Sequence, residues 1–193
     1  MEENKTNPSQ NNRKRKEKRL PKSLTLEEFK KLITVIPEKD KYSKVAFLLA
    51  YGSGLRISEI VGGGSVDNII PALNQSNFYF SQNPPQIKIY GKYSKERIVP
   101  VPKGWKDYMM KLLPIKITSR TLERKFKRYC KAAGIDPKYT FHSLRHGFAT
   151  RLTEMRVPMN HIQYLLGHSN LQTTSVYTQA RPVDALNSYE ELF

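Results

Sequence analysis

The stretch from Tyr139 to Ala180 constrains the fold most strongly, because its pattern predicts three short helices in succession. Gly167 follows a Leu-Leu pair and can end one helix in the left-handed conformation. Ser169 then begins another helix, with Gln172 three residues later as in a capping box. We therefore expect this stretch to bring side chains from several helices into one place.

Four side chains of this stretch suit chemistry on a phosphodiester. His142 and Arg145 are three residues apart and share a helix face. Tyr177 lies nine residues beyond His168, about two and a half helical turns. Guanidinium groups bind pairs of phosphate oxygens, a phenol can act as a nucleophile, and imidazoles donate or accept protons.

The charge of the chain indicates what kind of partner it binds. The 193 residues fit one domain with a sizeable core, and 33 Lys and Arg against 17 Asp and Glu give a net charge of +16. A polyanion, with nucleic acid as first candidate, is the expected partner. No apolar run approaches the ~20 residues of a membrane span, and no long basic amphipathic helix favours a membrane surface.

The N-terminus and the single cysteine indicate the cellular compartment in which we expect the chain. The polar N-terminus shows no secretory signal. The single cysteine, Cys130, excludes an internal disulfide framework and fits a reducing compartment. We expect this cysteine on the buried face of a helix, and the chain in the cytoplasm, associated with the nucleoid.

Residues 1–22 are predicted to be a basic, disordered tail, because eight basic and three acidic residues leave little apolar surface to bury. The run Arg13, Lys14, Arg15 and Lys16 lies just before the folded part. It is either a solubilising tail or an arm that becomes ordered on phosphates. We favour the arm.

Hydrophobic spacing predicts helices and strands over most of the remaining chain. Thr25 and Glu28 form a capping box that opens a helix ended by Pro37, whose apolar stripe is Leu26, Phe29, Leu32, Ile33 and Ile36. Further helices are predicted over 41–51 and 118–133, and strands over 78–80, 87–90 and 96–101. We expect residues 62–78 to begin with a loose connection, because three consecutive glycines follow Val61.

Arg56 and Glu59 lie three residues apart in the segment GSGLRISEI. Taken alone, such a pair is most simply a surface salt bridge within a helix, worth a few tenths of a kcal/mol. The segment also resembles the first motif of the tyrosine recombinases, and this resemblance implies that Arg56 is catalytic and that Glu59 holds its guanidinium in position.

Four motifs together resemble the tyrosine recombinases, the family of phage integrases and Xer-type recombinases. They are GSGLRISEI, IYGKYSKERIVP, HSLRHGFAT and LLGHSNLQTTSVYT, and the likeness runs from Leu24 to Ala180. The resemblance implies an α+β fold, mostly helical, with a small three-stranded antiparallel sheet. The six catalytic positions of the family match Arg56, Lys92, His142, Arg145, His168 and Tyr177.

The resemblance also implies a role for each of these residues. Tyr177 attacks a DNA phosphate and forms a 3′-phosphotyrosyl bond, which releases a 5′-hydroxyl. Arg56 and Arg145 stabilise the charge on the phosphate oxygens, and His168 adds a hydrogen bond.

The remaining roles concern proton transfer. Lys92 protonates the leaving oxygen and His142 assists deprotonation of the tyrosine. Lys95 is the competitor for the role of general acid, but Lys92 directly follows Gly91, as in the family's Gly-Lys-Gly turn. Tyr93 replaces the second glycine. Neither ATP nor a metal is implied, since the covalent bond conserves the energy.

The expected partner is double-stranded DNA, bound by a tetramer that is monomeric when free. The predicted DNA contacts outside the tail are Lys95, Arg97, Arg120, Arg124 and Lys127. Residues 23–181 would be the catalytic domain, and residues 182–193 a C-terminal helix that packs on its own domain or on a neighbouring protomer. We find no counterpart of the family's separate N-terminal core-binding domain. Either the chain is a natural minimal enzyme, or it is truncated, or the basic tail serves as a reduced clamp on the DNA.

Three other functions remain open from the sequence. A type IB topoisomerase shares the chemistry and acts as a monomer. A DNA-binding regulator would occupy recombinase sites without catalysis, although the intact six residues argue against it. The third is a zinc-dependent nuclease: His142 and His146 have the spacing of a zinc-binding pair, but Glu is absent from the motif and Arg145 would disfavour a cation.

Overall fold

The computed structural model describes residues 23–91 and 96–167. Within these ranges the chain forms seven α-helices and two small sheets. The helices are α1 (Leu26–Thr34), α2 (Lys41–Gly52), α3 (Ile57–Val61), α4 (Asp107–Met110), α5 (Ser119–Ala132), α6 (His142–Glu154) and α7 (Met159–Leu166). The strands are β1 (Gly63–Ser65), β2 (Asn68–Ile70), β3 (Phe78–Tyr79), β4 (Gln86–Tyr90) and β5 (Glu96–Pro100). None of these helices is long and apolar enough to cross a membrane.

The capping box predicted at the start of α1 is confirmed. The Thr25 hydroxyl accepts a hydrogen bond from the Glu28 backbone N–H at 3.2 Å, and the Glu28 carboxylate accepts one from the Thr25 N–H at 2.9 Å. Phe29 and Leu32 face the core, but Leu26 is exposed, although it belongs to the predicted apolar stripe. This first-turn residue lies at the edge of the buried face.

The helix α2 lies at the centre of the hydrophobic core, which explains why most of its residues are buried. Phe47 contacts Phe126 of α5 and Phe141 edge-to-face, with ring centroids 5.6 and 5.7 Å apart. Tyr51 stacks on Phe29 of α1 at 4.0 Å. Offset and edge-to-face aromatic pairs add to the free energy of burial, so α2 is the element on which α1, α5 and α6 converge.

Helix α5 appears where the sequence predicts it. Thr118 caps its N-terminus by accepting from the Thr121 N–H at 3.2 Å. Cys130 is fully buried on this helix, as predicted, and burial raises the pKa of its thiol to about 11. The thiol is therefore a packing group rather than a nucleophile, since the thiolate is the reactive form.

The second sheet is the predicted three-stranded antiparallel one, with strand order β3-β4-β5. Ile87 and Ile89 of β4 are buried, while the residues between and beside them are half-exposed. In the register of this sheet Ile89 lies opposite Arg97 and Ile87 opposite Val99. The α+β class predicted from the motifs is thus confirmed.

The expectation of a loose connection after α3 is wrong at residues 63–70, which form an antiparallel hairpin. Ser65 pairs with Asn68 across a two-residue turn. Gly64 has a φ of +110°, and a Cβ there would lie 2.0 Å from the Asn68 carbonyl oxygen. The glycines that look like a flexible linker are therefore what permits this close strand pairing.

Gly147 of α6 packs so closely on α2 that the structure leaves no space for a side chain. A Cβ there would lie 2.6 Å from a ring carbon of Tyr51 and 2.7 Å from the carbonyl oxygen of Leu24. We expect Gly147→Ala to lower the free energy of unfolding by about 1–3 kcal/mol, as overpacking does, despite the ~1 kcal/mol by which alanine favours a helix.

Urea denaturation measures this change. The matched control is Thr153→Ala on the exposed side of the same helix, which we expect to shift the free energy of unfolding by about 0.5 kcal/mol or less. Equal stabilities for the two variants would contradict the packing argument.

Candidate active site

Arg56 and Glu59 form an ion pair at the beginning of α3. The Arg56 Nη1 donates to Glu59 Oε1 at 2.9 Å, and the Arg56 backbone N–H donates to Oε2 at 2.7 Å. Glu59 is only 2% exposed, so the pair is not a surface salt bridge. About a third of the Arg56 side chain remains accessible, at 34%. The carboxylate is thus a fixed internal anchor for a partly exposed guanidinium.

Arg97 of β5 is the second partner of this carboxylate. Its Nη1 and Nη2 donate to the two Glu59 oxygens at 2.7 and 2.8 Å. Its Nε donates to the carbonyl oxygen of Leu165 at 2.9 Å. This fork-to-fork geometry is the strong, bidentate form of an arginine–carboxylate pair.

The predicted direct DNA contact of Arg97 does not fit this arrangement, because the side chain is buried. A signal of its burial exists in the sequence: period-two alternation along β5 places Arg97 on the same face as the buried Val99. A charged residue at an inward position requires a buried partner, and that partner is Glu59.

Glu59 keeps its negative charge although its carboxylate is buried. Burial alone raises the pKa of this carboxyl, but the hydrogen bonds and charge of Arg97, with those of Arg56, lower it to about 2. Glu59 is therefore ionised at every pH at which the protein is expected to work.

Arg145 brings a third guanidinium to the site from the first turn of α6. Its Nη1 donates to the carbonyl oxygen of Gly54 at 2.6 Å, and its Nη2 donates to that of Leu166. Burial, together with the charges of Arg56 and Arg97, lowers the pKa of Arg145 to about 9. The group stays protonated near neutral pH.

The three guanidiniums meet at the C-terminus of α7. Arg97 donates to the carbonyl of Leu165, Arg145 to that of Leu166, and Arg56 to that of Gly167 at 3.3 Å. The last carbonyls of a helix have no intrahelical partner and carry its negative partial charge. Positive side chains are therefore stabilised at this position, and the three arginines satisfy three successive carbonyls.

Gly167 ends α7 in the left-handed conformation, with φ 60° and ψ 48°, as the sequence predicts. A Cβ there would lie 3.0 Å from Cδ of Arg97. The glycine therefore serves both the turn and the close approach of the arginine. The chain continues from this turn into His168, which lies outside the described residues.

Arg56, Glu59, Arg97 and Arg145 together are called the arginine site below. Three guanidiniums face one carboxylate, so the site carries excess positive charge. Such a site can bind an anion and stabilise negative charge that develops on it. Arg56 is its most accessible arginine.

His142 begins α6 and is exposed, one turn before Arg145. His146 is half-buried, and burial together with the charges of His142 and Arg145 lowers its pKa. Within residues 23–91 and 96–167, no group of three or more His, Cys, Asp and Glu side chains is arranged to hold a metal ion.

Several predicted site residues lie outside the described residues. They are Arg13, Lys14, Arg15, Lys16, Lys92, Lys95, His168 and Tyr177. Of the six predicted catalytic residues, the described structure brings Arg56 and Arg145 together and places His142 on the same helix as Arg145.

The predicted DNA contacts on α5 are three of its basic residues. Arg120, Arg124 and Lys127 are exposed and lie four and three residues apart, so they follow one face of the helix. Lys125 pairs with Asp40 at 2.8 Å, and the Lys127 Nζ donates to the carbonyl oxygen of Pro137 at 2.6 Å. The three predicted DNA contacts on this helix are thus aligned as a basic stripe.

Comparison with protein families agrees with the motifs. The model of the phage integrase family matches residues 22–183. The tyrosine recombinase XerA of Thermococcus onnurineus is 38% identical over 180 residues, covering 84% of this chain and 59% of the relative. The tyrosine recombinase XerC of Chlamydia caviae is 31% identical over 198 residues, covering 90% and 59%. The chain therefore spans about three fifths of the length of these relatives.

Solved structures show the same fold. The integrase of mycobacterium phage Brujita has a TM-score of 0.66 at 19% identity and covers 92% of this chain and 60% of that one. The XerH site-specific recombinase bound to a palindromic difH substrate, in a post-cleavage complex, has a TM-score of 0.62 at 25% identity, covering 80% and 48%. With the family match over residues 22–183, the chain belongs to the phage integrase family, the tyrosine recombinases.

Proposed function

We propose that this chain is a site-specific recombinase that cleaves and rejoins double-stranded DNA through a phosphotyrosyl intermediate at Tyr177. The observation that carries the proposal is the convergence of Arg56 and Arg145 at the end of α7, directly before His168. Two guanidiniums in a fixed, partly buried place can hold the non-bridging oxygens of a phosphodiester.

Strand cleavage in this proposal is a transesterification. The Tyr177 oxygen attacks phosphorus, its proton leaves with the help of His142, and the bond to the 5′-oxygen of the DNA breaks. Lys92 gives that oxygen a proton, so a free 5′-hydroxyl is released. Attack by a 5′-hydroxyl on the phosphotyrosine reverses these steps and rejoins a strand without an external energy source.

The arginine site contributes charge stabilisation that is in place before the reaction. Negative charge accumulates on the non-bridging oxygens in the transition state, where Arg56 and Arg145 would bind it together with His168. Because Glu59 and the carbonyls at the end of α7 already orient the two guanidiniums, little reorganisation is needed when the charge develops.

The basic stripe of Arg120, Arg124 and Lys127 would contact the DNA backbone, with Lys95 and the basic tail as further contacts. Lysine and arginine contacts of this kind position the duplex and carry no sequence information by themselves. Two of the solved relatives are recombinases bound to difH substrates. We propose that this chain also acts on DNA, as a tetramer, in the cytoplasm with the nucleoid.

The nucleophile is tested with Tyr177→Phe, which removes one oxygen atom. We expect wild type to form a covalent adduct with a labelled suicide substrate in excess chelator, and the variant to form none while it still binds the DNA. A denaturing gel separates adduct from free DNA, and the DNA pool includes sequences that flank the gene.

Tyr42→Phe, at a half-buried position on α2, is the matched control and should form the adduct. An adduct with Tyr177→Phe would refute the nucleophile assignment. Binding without adduct in wild type would support a non-catalytic regulator, and relaxation of supercoils without strand exchange would support a topoisomerase.

The basic stripe is tested with Arg124→Gln. Each phosphate contact that is lost should reduce the slope of log affinity against log salt by about 0.9 and weaken binding alike on all sequences. Affinity is measured by fluorescence anisotropy at several salt concentrations. Lys30→Gln, at an exposed lysine of α1, makes the same charge change and should leave the slope nearly unaltered. Equal slopes for the two variants would contradict a contact at Arg124.

A further inference from the structure

Arg97 connects three segments that carry residues of the proposed reaction. It lies on β5, which begins at Glu96, four residues after Lys92 in the chain. Its guanidinium binds both oxygens of Glu59 on α3, and its Nε donates to Leu165 at the end of α7. Arg56 also contacts both Glu59 and the end of α7, at the carbonyl of Gly167, but Arg97 is the buried arginine whose guanidinium binds both carboxylate oxygens.

We propose that Arg97 is a positioning residue, which holds Glu59 and the C-terminal turn of α7 in the arrangement that lets Arg56 and Arg145 bind the reacting phosphate. The proposal rests on the proposed function. Arg97 itself is buried and is not expected to touch the DNA.

Burial makes this ion pair a poor candidate for a purely stabilising role. Removing two charges from water costs about as much free energy as their attraction returns, and apolar replacements of buried ion pairs are often neutral in stability. The pair between Arg97 and Glu59 is buried on both sides, at 6% and 1% side-chain exposure. The ion pair instead contributes a defined geometry, because an apolar pair would orient neither Arg56 nor the end of α7.

The contacts also require arginine rather than another cation. Three nitrogens of one planar group donate to three different oxygens, two on the carboxylate and one on the helix. A lysine ammonium is a compact charge on a flexible stem and cannot reproduce a planar fork. We therefore expect Arg97→Lys to restore the charge but not the arrangement.

The first test compares Arg97→Met and Arg97→Lys with wild type in single-turnover cleavage of the suicide substrate. We expect Arg97→Met to cleave about 100-fold more slowly, as misplaced catalytic groups do, with a Kd for DNA within about three-fold, since phosphate contacts on the surface dominate affinity. Arg97→Lys should recover only part of the rate. A wild-type rate in folded Arg97→Met would overturn the proposal.

Val99→Ala controls for loss of stability in the same strand. Val99 is fully buried two residues further along β5, on the same face as Arg97. Val99→Ala should lower the Tm yet keep the cleavage rate at temperatures well below it. If the rates of the two variants fall in proportion to their Tm values, Arg97 is only structural and the proposal is wrong.

A double-mutant cycle with Glu59→Gln tests the connection to Arg56. If Arg97 acts through Glu59, the double variant Arg97→Met with Glu59→Gln should cleave no more slowly than the slower single variant, because both changes break one unit. If the rate loss of the double variant equals the product of the two single losses, the two residues act independently, and the connection through Glu59 is wrong.

A measurement without DNA separates this proposal from the proposed function. If wild type forms no adduct, the proposed recombinase function is wrong, but the contact between Arg97 and Glu59 is not yet tested. A ¹³C-NMR titration of the Glu59 carboxyl tests that contact without DNA. The charged groups that face this carboxyl are Arg56 at the start of α3, Arg97 of β5 and Arg145 of α6.

The sign of the expected shift follows from these neighbours. Without Arg97, burial still raises the pKa of Glu59 while the hydrogen bonds of Arg97 that lower it are lost, so Glu59 in Arg97→Met should titrate at a higher pH than in wild type, where its pKa is about 2. Val99→Ala should leave the titration unchanged. An unaltered Glu59 titration in Arg97→Met would overturn the positioning role.

Discussion

The carboxylate of Glu59 is the group on which the arginine site depends. It is almost completely buried, and its two oxygens accept hydrogen bonds from the guanidiniums of Arg56 and Arg97 and from one backbone N–H. Without this negative charge, three arginines would repel one another in a place with little solvent to screen them. With it, the site keeps excess positive charge for an anion while each guanidinium has a defined orientation.

The end of α7 supplies the other half of this balance. Its last carbonyls carry partial negative charge and are contacted by Arg97, Arg145 and Arg56 in succession. The same contacts define where the chain leaves the helix, because Gly167 must adopt a left-handed conformation beside the Arg97 side chain. The same contacts therefore end α7 and orient the arginines, and His168 is the next residue after Gly167 in the chain.

Local signals in the sequence correctly predicted much of this structure. The capping box of Thr25 and Glu28, the burial of Cys130 on α5 and the cap at Gly167 depend on neighbouring residues, so short-range rules suffice. Differences from the sequence predictions have another origin. Three glycines suggest a linker where a hairpin pairs closely, and the buried Arg97 does not fit the predicted DNA contact because its partners are 38 and 68 residues away in the chain.

The sequence by itself determined the class of the chain: the four motifs, the basic charge and the spacing of arginines, histidines and tyrosine identify the family and its chemistry. Only the tertiary structure decided which arginines are buried, which carboxylate they share and where a helix ends against them. The physical reason is that the free energy of a buried charge depends on partners distant in the chain. Spacing along a helix reports only the neighbours within one or two turns.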